Sequence, residues 1–339
     1  MSIVNKVCVL GGGSFGTAIA NIAAANSAEV MVWMRSEKQC EAIASTRFNE
    51  RYLPGYQLRE NLIPTTNLEK ACLNADIVFV AIPSKAFRVV TSEAIQFIPK
   101  SAPLISLTKG IEHGSFKLMS QILQEIGPGR DVGVLSGPNL AKEIAQNQLT
   151  ATVIASYNPI LRKTIQQILD TKLFSVYGNP DTFGVELAGA LKNIYAIVSG
   201  MAVALGMGEN TRAMIITRSL AEMSRFAQRM GANPLTFIGL AGVGDLIVTC
   251  SSKLSRNYKV GYEIGKGHSL KQAIKLTGET AEGINTLKMV KEKADEVGVV
   301  MPIVNALFET LYLGGKAEDI ASKLMKVAHA EDVEYMLGG

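Results

Sequence analysis

The sequence predicts an α/β domain built on a doubly wound parallel sheet, followed by an all-α domain. Three observations support this prediction. Short apolar runs alternate with helical patterns over the first half of the chain, a glycine-rich turn follows the first of these runs, and strand-like runs stop near residue 180. We therefore expect an N-terminal domain over residues 1–180 and a helical domain over residues 181–339.

The strands of the first domain are predicted from short runs rich in apolar and β-branched residues. These runs are Lys6–Leu10, Glu29–Trp33, Ile77–Ile82, Leu104–Thr108, Val132–Leu135, Thr152–Ala155 and Phe174–Tyr177. Between them, helical spacing is clearest in Ser84–Ile98, Phe116–Ile126 and Pro159–Leu169. Such alternation is typical of a sheet with helices on both faces.

The first strand leads directly into a glycine-rich sequence of the pattern GxGxxG, which then opens a helix. In this pattern Gly11 makes a tight turn, Gly13 lets the backbone approach a pyrophosphate, and Gly16 allows the helix to pack close to the strand. A glycine-rich turn without a ligand would fit the same residues. The strand before it and the small-residue helix after it favour a dinucleotide site, so the domain is predicted to be Rossmann-like.

The end of the second strand bears on the choice of cofactor. A site that prefers NAD usually has an acidic residue about 20 positions beyond the glycine pattern. This chain instead has Arg35, followed by Ser36. A cation at this place suits the 2′-phosphate of NADP(H), whereas Glu37 would restore the acid in a different register. The sequence therefore favours NADP(H) and leaves NAD(H) open.

Polar residues follow later strands, at the sheet edge where ligands of such folds bind. Lys109 comes directly after one strand, and the segment Ser136–Asn139 follows the next. An ammonium, backbone N–H groups and a short polar side chain at this edge would suit an anionic ligand. Each segment also has a plain interpretation as a connection between a strand and a helix.

A long apolar helix is predicted to open the second domain. Pro180 and Asp181 mark its start, because proline restricts the residue before it and aspartate caps helices. The stretch Val185–Leu205 is apolar nearly all round and is about long enough to cross a membrane. However, Lys192 and Asn193 lie near its middle. We interpret it as the buried helix of a protein with no integral membrane association.

Lys192 is the candidate acid or base. An unpaired charge inside an apolar helix is costly, so a lysine there needs a partner or a role. Next to a substrate carbonyl, its ammonium would donate a proton while a hydride reaches the carbon, and Asp245 would hold it in place. The alternative is a lysine whose stem packs while its head reaches solvent.

The segment Gly239–Asn257 is predicted to bind a small phosphorylated molecule. A helix that begins at Asp245 puts Thr249 on the same face. Ser255 then caps a second helix, with Arg256 and Asn257 in its first turn. A helix N-terminus and a guanidinium both attract anionic oxygens. Two capped helices joined by a solvated loop would also account for these residues.

Composition excludes several other classes of protein. The chain is 47% hydrophobic and 19% charged, which is ordinary for a globular protein. Its net charge of +4 is spread without a basic tract, so nothing indicates nucleic-acid binding. The four cysteines lack disulfide or metal-ligand spacing, and the first ten residues lack a signal-peptide pattern. We expect a cytoplasmic protein without a metal.

The segments Gly11–Gly16, Thr108–Gly110, Leu191–Asn193 and Gly239–Asn257 resemble, in order and spacing, the soluble NAD(P)-dependent glycerol-3-phosphate dehydrogenases, especially those of bacteria. The resemblance covers essentially the whole chain. It implies reversible conversion of dihydroxyacetone phosphate to sn-glycerol 3-phosphate, mainly for phospholipid synthesis. It also implies a 6-phosphogluconate-dehydrogenase-like arrangement of domains and a homodimer.

The resemblance and the motifs together assign Lys192 as proton donor in reduction and acceptor in oxidation. One group of residues is expected to contact the substrate, with Arg256 and Asn257 on its phosphate side. These residues are Lys109, Gly137, Asn139, Lys192, Asn193, Asp245, Thr249, Ser255, Arg256 and Asn257.

A second group is expected to contact the cofactor. Its members are Gly11, Gly13, Ser14, Phe15, Gly16, Arg35, Ser36, Lys109, Ala141, Arg256, Thr280 and Glu282. One position departs from the family pattern, which commonly has Ser or Thr where this chain has Asn139, so a side-chain contact to the substrate is in question there.

Two rival functions are left open by the sequence. A β-hydroxyacid or 6-phosphogluconate-type dehydrogenase also joins a dinucleotide domain to a helical one and uses a lysine. A non-catalytic NADP-binding sensor would bind the cofactor without turnover, but it gives no reason for Lys192 inside an apolar helix.

Overall fold

The computed structural model describes residues 4–278, 281–316 and 318 of the 339-residue chain. The chain divides into two compact units, Met1–Glu186 and Leu187–Gly339. The division falls within the long helix Thr182–Ala204, shortly after the boundary that the sequence predicts at residue 180.

The described residues of the first unit form ten strands, eight of which belong to one sheet. In chain order they are β1 (Lys6–Leu10), β2 (Glu29–Trp33), β3 (Phe48–Asn49), β4 (Leu53–Gln57), β5 (Leu62–Thr65), β6 (Ile77–Val80), β7 (Leu104–Ser106), β8 (Val132–Ser136), β9 (Thr150–Ala155) and β10 (Phe174–Asn179). The main sheet has the order β10-β9-β8-β7-β6-β1-β2-β5, while β3 and β4 form a separate pair.

The neighbouring strands of the main sheet are parallel except for β8 and β9, which are antiparallel. The chain leaves β1 toward β2 on one side and later returns to place β6 on the other. This reversal makes the carboxyl end of β1 a topological switch point, where ligands bind in open α/β sheets. The predicted Rossmann-like sheet is thus confirmed, with one antiparallel pair that the sequence did not predict.

Seven helices accompany these strands in the part of the first unit that the structure describes. They are α1 (Ser14–Ala23), α2 (Glu37–Thr46), α3 (Leu68–Cys72), α4 (Ser84–Ala94), α5 (Met119–Ile126), α6 (Ala141–Ala145) and α7 (Pro159–Leu169). Side chains of β1 alternate between two apolar clusters, with Val7 and Val9 in one and Cys8 and Leu10 in the other. Because successive strand residues face opposite sides, a buried sheet needs this continuous apolar run.

Two predicted helix bounds in the first unit were wrong, and the short strands β3, β4 and β5 were not predicted. α5 begins at Met119 and not at Phe116, because Phe116 has a φ of 57°, which no right-handed helix accommodates. α4 ends at Ala94, earlier than the predicted Ile98. The sequence also gave no sign of β5, whose Pro64 weakens the strand pattern.

The second unit is helical throughout its described residues. Its α-helices are α8 (Thr182–Ala204, which contains the division between the units), α9 (Glu209–Arg229), α10 (Asp245–Ser251), α11 (Arg256–Gly265), α12 (Leu270–Thr277), α13 (Glu282–Val297) and α14 (Pro302–Tyr312). Between α9 and α10 lie a 3₁₀ turn, Pro234–Ile238, and a π turn, Leu240–Gly244.

α8 is the one helix among the described residues that is long and apolar enough to cross a membrane. Its most apolar stretch is 89% buried inside the protein. Asp181 precedes the helix and accepts a hydrogen bond from the Gly184 N–H at 2.8 Å. This cap and this burial confirm the predicted start of the helix and its place in the core.

Candidate functional site

The glycine-rich turn after β1 is fixed by hydrogen bonds and by close packing. The Gly12 carbonyl accepts from the Gln39 side chain at 2.6 Å and from the Asn49 side chain at 3.0 Å. A Cβ atom at Gly16 would lie 2.1 Å from the Gly11 carbonyl oxygen, so only glycine allows α1 to pack this closely. The predicted packing role of Gly16 is confirmed.

The N-terminus of α1 suits an anion. Gly13 precedes the helix without a side-chain cap, its Cβ position faces open space, and the first turn carries no acidic residue. The Ser14 hydroxyl donates to the Tyr52 carbonyl at 2.8 Å, and Phe15 packs against the core. The groups at this end are therefore backbone N–H groups with a positive helix dipole, which is the arrangement that binds pyrophosphate.

Arg35 and Ser36 lie beyond β2, at the same edge of the sheet. Leu10 of β1 is in register with Trp33 of β2, so the two strands end together. Arg35 is exposed, whereas the Ser36 hydroxyl caps α2 by accepting from the Gln39 N–H at 3.3 Å. Arg35 thus follows β2 at the sheet edge that carries the glycine-rich turn, and the sequence predicts recognition of a 2′-phosphate at this residue.

Lys109 and Asn139 lie close together after β7 and β8. The Lys109 ammonium donates to the Gly137 carbonyl at 3.1 Å and to the Asn139 Oδ1 at 3.2 Å. Because β7 and β8 are parallel, both segments leave the sheet at the edge that carries the glycine-rich turn. Ala141 begins the short helix α6 just beyond them. The structure thus brings three of the predicted positions into contact.

In the second unit, Lys192 is buried and hydrogen-bonded to two polar side chains. Its side chain donates to the Asp245 carboxylate and, at 2.6 Å, to the Thr249 hydroxyl. Lys192 is 6% exposed and Asp245 is 1% exposed. The predicted pairing is confirmed, and the alternative of a lysine head in solvent is wrong. A buried ion pair with an additional hydrogen bond fixes the position of the lysine amine, as a proton-transfer group requires.

The turn before α10 explains why Asp245 faces Lys192. A Cβ atom at Gly242 would lie 2.1 Å from the Phe237 carbonyl oxygen, so the π turn Leu240–Gly244 requires glycine there. α10 then begins at Asp245, and the Thr249 hydroxyl donates back to the Asp245 carbonyl at 2.6 Å. With its hydrogen used in this bond, the Thr249 oxygen is oriented to accept from Lys192.

α11 begins as the sequence predicts. The Ser255 hydroxyl caps it by accepting from the Tyr258 N–H at 3.3 Å, and Arg256 is exposed at its first residue. Asn257 is buried beside it. The helix end, the guanidinium and the amide are therefore close together in the chain, and a helix N-terminus and a guanidinium both attract anionic oxygens.

Asn257 connects three helices through its side-chain amide. Its Nδ2 donates to the Asn193 Oδ1 at 2.8 Å, and its Oδ1 accepts from the Gly283 N–H at 2.9 Å. Gly283 lies in the first turn of α13, directly after the half-buried Glu282. The remaining predicted cofactor contact, Thr280, falls outside the described residues.

Two buried glutamates were missed in the sequence. Glu186 accepts from the Ser120 N–H at 3.0 Å, and Glu222 accepts from the Ile303 N–H at 2.5 Å and from the Tyr195 hydroxyl at 3.3 Å. Burial raises the pKa of each carboxyl to about 7, against the opposing effect of these donors. Glu186 lies in the apolar helix α8, so it could have been recognised from the sequence by the same reasoning as Lys192.

Neither the Cys250 thiol nor a metal-binding cluster adds a second site within the part of the chain that the structure describes. Burial raises the pKa of the Cys250 thiol to about 12, so it is inert as a nucleophile at neutral pH. Over the ranges that the structure describes, no group of three His, Cys, Asp or Glu side chains is arranged to hold a metal ion.

Comparison with known proteins gives a consistent result along the chain. The family model of the NAD-dependent glycerol-3-phosphate dehydrogenase N-terminus matches residues 6–161, and that of the C-terminus matches residues 181–322. These two matches leave unassigned only the ends of the chain and the segment around β10.

Individual relatives match over nearly their whole length. The chain is 56% identical to the glycerol-3-phosphate dehydrogenase (NAD(P)+) of Teredinibacter turnerae and covers 98% of both chains. It is 53% identical to that of Alcanivorax borkumensis, over 98% of this chain and 97% of the relative. The crystal structure of glycerol-3-phosphate dehydrogenase from Coxiella burnetii is 32% identical in sequence and superposes with a TM-score of 0.91. The match covers 96% of this chain and 100% of that one.

Proposed function

The chain belongs to the NAD-dependent glycerol-3-phosphate dehydrogenase family, and from this premise we propose that it reversibly reduces dihydroxyacetone phosphate to sn-glycerol 3-phosphate. NADPH is the proposed preferred reductant and NADH a poorer one. The observation that carries the proposal is the buried Lys192 ammonium, held by Asp245 and Thr249 beside a helix that begins with Arg256.

The residues of the first unit fit a dinucleotide. The uncapped N-terminus of α1 behind Gly13 would hold the pyrophosphate, and the exposed Arg35 would pair with the 2′-phosphate. Lys109 would contribute a further positive charge, and Glu282 of the second unit is assigned a cofactor contact by the family resemblance. When bound, the reduced nicotinamide supplies the hydride that reaches the substrate's carbonyl carbon.

Lys192 is the proposed general acid. Reduction of a ketone places negative charge on the carbonyl oxygen, which must receive a proton as the alcohol forms. Asp245 and Thr249 each accept an N–H of Lys192, so its Nζ is held in one position and proton transfer needs little further ordering. In the oxidising direction, the same amine would accept the proton from the alcohol.

The proposed phosphate site lies at the start of α11. Arg256 offers a planar pair of N–H donors, and the first turn of the helix offers backbone N–H groups. Asn257 is held by Asn193 and Gly283, so its position is fixed before the substrate binds. Phosphate binding would then hold the carbonyl in place for the transfer of hydride and proton.

The biological setting is a proposal that rests on the family resemblance. Glycerol 3-phosphate made in this reaction would supply phospholipid synthesis, and the enzyme would act as a cytoplasmic homodimer. Dispersed cysteines without disulfide spacing agree with a reducing compartment.

The proposal is tested by following the absorbance of NADPH with purified protein and dihydroxyacetone phosphate, then with NADH. Rapid oxidation that is absent with unphosphorylated dihydroxyacetone would support it, because the proposed site binds through the phosphate. Turnover of a β-hydroxyacid in its place would favour the rival dehydrogenase. Cofactor binding without oxidation of either nucleotide would favour the sensor.

A further inference from the structure

By the family resemblance, Asn139 stands at a position that commonly carries Ser or Thr, and the structure shows both ends of its amide engaged inside the protein. We infer that Asn139 is a positioning residue that orients the Lys109 ammonium. The inference rests on the proposed function, since Lys109 is assigned there to the cofactor-binding edge of the sheet.

The orientation of the Asn139 amide follows from its neighbours. An ammonium group has only donors, so the atom of Asn139 that lies 3.2 Å from the Lys109 Nζ must be the amide oxygen. The Nδ2 then lies 3.0 Å from the Thr152 Oγ1. Both ends of the amide are therefore used inside the protein.

Thr152 fixes the direction of these bonds. Its hydroxyl lies 3.0 Å from the Ser136 carbonyl oxygen, which only accepts, so the single hydroxyl hydrogen is donated there. The Thr152 oxygen must then accept from Asn139. Thr152 is fully buried and Asn139 is 9% exposed, so solvent competes little with either bond. The chain Ser136–Thr152–Asn139–Lys109 thus has one consistent set of donors and acceptors.

The length of the asparagine side chain is essential to this arrangement. Serine or threonine would offer one polar atom attached directly to Cβ, whereas asparagine offers two polar atoms that lie one carbon further from the backbone. Asn139 spans Thr152 and Lys109 with two polar atoms, while the Gly137 carbonyl accepts from the same ammonium at 3.1 Å. The asparagine side chain therefore links strand β9, through Thr152, with Lys109.

A double-mutant cycle on NADPH binding tests the inference. We would measure the Kd for NADPH, by nucleotide fluorescence, in the wild type, Asn139→Leu, Lys109→Met and the double variant. Asn139→Leu keeps the shape but removes both polar atoms, and we expect its Kd to rise about tenfold. In the Lys109→Met background the same change should have no further effect, because the group that Asn139 orients is gone.

Equal effects of Asn139→Leu in both backgrounds would overturn the inference, since Asn139 would then act independently of Lys109. An unchanged Kd in Lys109→Met would overturn it also, because Lys109 would not contact the cofactor. A wild type that binds NADPH but does not oxidise it would refute the proposed function, while the binding cycle would still report on Asn139.

Thr152→Val provides a second route if Asn139→Leu does not fold. It leaves Asn139 unsupported at one end, and we expect the Kd for NADPH to rise about threefold, again only when Lys109 is present. The matched control is Thr150→Val on the same face of β9, where the hydroxyl donates to the Gln148 carbonyl at 3.0 Å outside the chain of bonds. An equal rise in Thr150→Val would assign the effect to the strand and overturn the inference.

Discussion

The Lys192 ammonium and the Asp245 carboxylate form an ion pair inside the helical unit, 53 positions apart in sequence. The pair is buried on both sides, and Thr249 supplies a third polar group. Because removal of one member leaves the other as an uncompensated buried charge, each contributes to stability as well as to the proposed chemistry. For variants at this pair, both the stability of the fold and the catalytic activity must therefore be measured.

Replacement of Lys192 by alanine should remove turnover but retain the cofactor. Loss of a general acid typically lowers kcat by a factor of about 10²–10⁴. The Kd for NADPH should stay close to its wild-type value, since Lys192 is assigned to the substrate. The unpaired Asp245 should lower the free energy of unfolding by about 3–5 kcal/mol. Stopped-flow and steady-state assays with dihydroxyacetone phosphate, together with thermal unfolding, would measure these effects.

The exposed Lys253 provides a control for the loss of one lysine charge. Lys253→Ala should leave both kcat and thermal stability unchanged. Near-normal turnover in Lys192→Ala, in a folded protein, would exclude this lysine as the proton donor.

Reversal of the charge at position 35 should change the cofactor preference. Arg35→Asp places a carboxylate where the 2′-phosphate of NADPH would lie and offers an acceptor to the ribose hydroxyls of NADH. The ratio of kcat/KM for NADPH to that for NADH should fall by a factor of about ten or more, as expected for loss of a charge-assisted contact. The same charge reversal at the exposed Lys100 is the control. An unchanged ratio in Arg35→Asp would show that another residue binds the 2′-phosphate of NADPH.

Much of the dinucleotide end of the fold could be predicted from sequence, because its signals are local. β1 and β2 have the predicted bounds, and the glycine pattern lies at the predicted strand end. The antiparallel pairing of β8 and β9 could not be predicted, since strand direction depends on a long connection and not on the strand's own residues. The left-handed backbone conformation of Phe116 could not be predicted either, because none of the neighbouring residues indicates it.

The part of the candidate site that could be predicted from sequence is the part where a charged side chain needs an oppositely charged partner. A lysine in an apolar helix requires a counter-charge, and this requirement led to Asp245. The link from Asn193 through Asn257 to Gly283 was not predictable, because a neutral amide accepts many partners and one of its bonds spans 64 positions. Glu222 was missed for a similar reason, since its main partners are backbone N–H groups, which every helix start provides.

Glu222 should make the stability of the protein depend on pH. Burial raises its pKa from the ordinary 4.5 to about 7 in the folded protein, so the folded state binds a proton that the unfolded state releases. The resulting stabilisation is complete below pH 4.5 and is lost as the pH rises through about 7. Its size is about 3 kcal/mol. Glu222→Gln should therefore show a smaller fall in thermal midpoint across this pH range.

Two further variants separate this effect from general pH dependence. Glu186→Gln should reduce the fall similarly, since burial raises the pKa of Glu186 to about 7 as well. Glu60→Gln, at an exposed position, should follow the wild-type curve. Identical slopes for the wild type and Glu222→Gln would mean that Glu222 titrates at its ordinary pKa in the folded protein.

Asn257→Asp tests the proposed phosphate site by changing one atom. The carboxylate can still accept from the Gly283 N–H, but it cannot donate to the Asn193 Oδ1, and it places a negative charge beside the substrate phosphate. Like charges in a buried site repel strongly, so the KM for dihydroxyacetone phosphate should rise by a factor of about 100. The Kd for NADPH should change much less, because the added charge lies on the substrate side. Asn305→Asp on α14 is the matched control and should leave both constants unchanged.

A parallel loss of affinity for substrate and cofactor in Asn257→Asp would contradict this assignment. It would show that Asn257 acts mainly by holding the first turn of α13, next to Glu282. The phosphate contact would then belong to Arg256 alone.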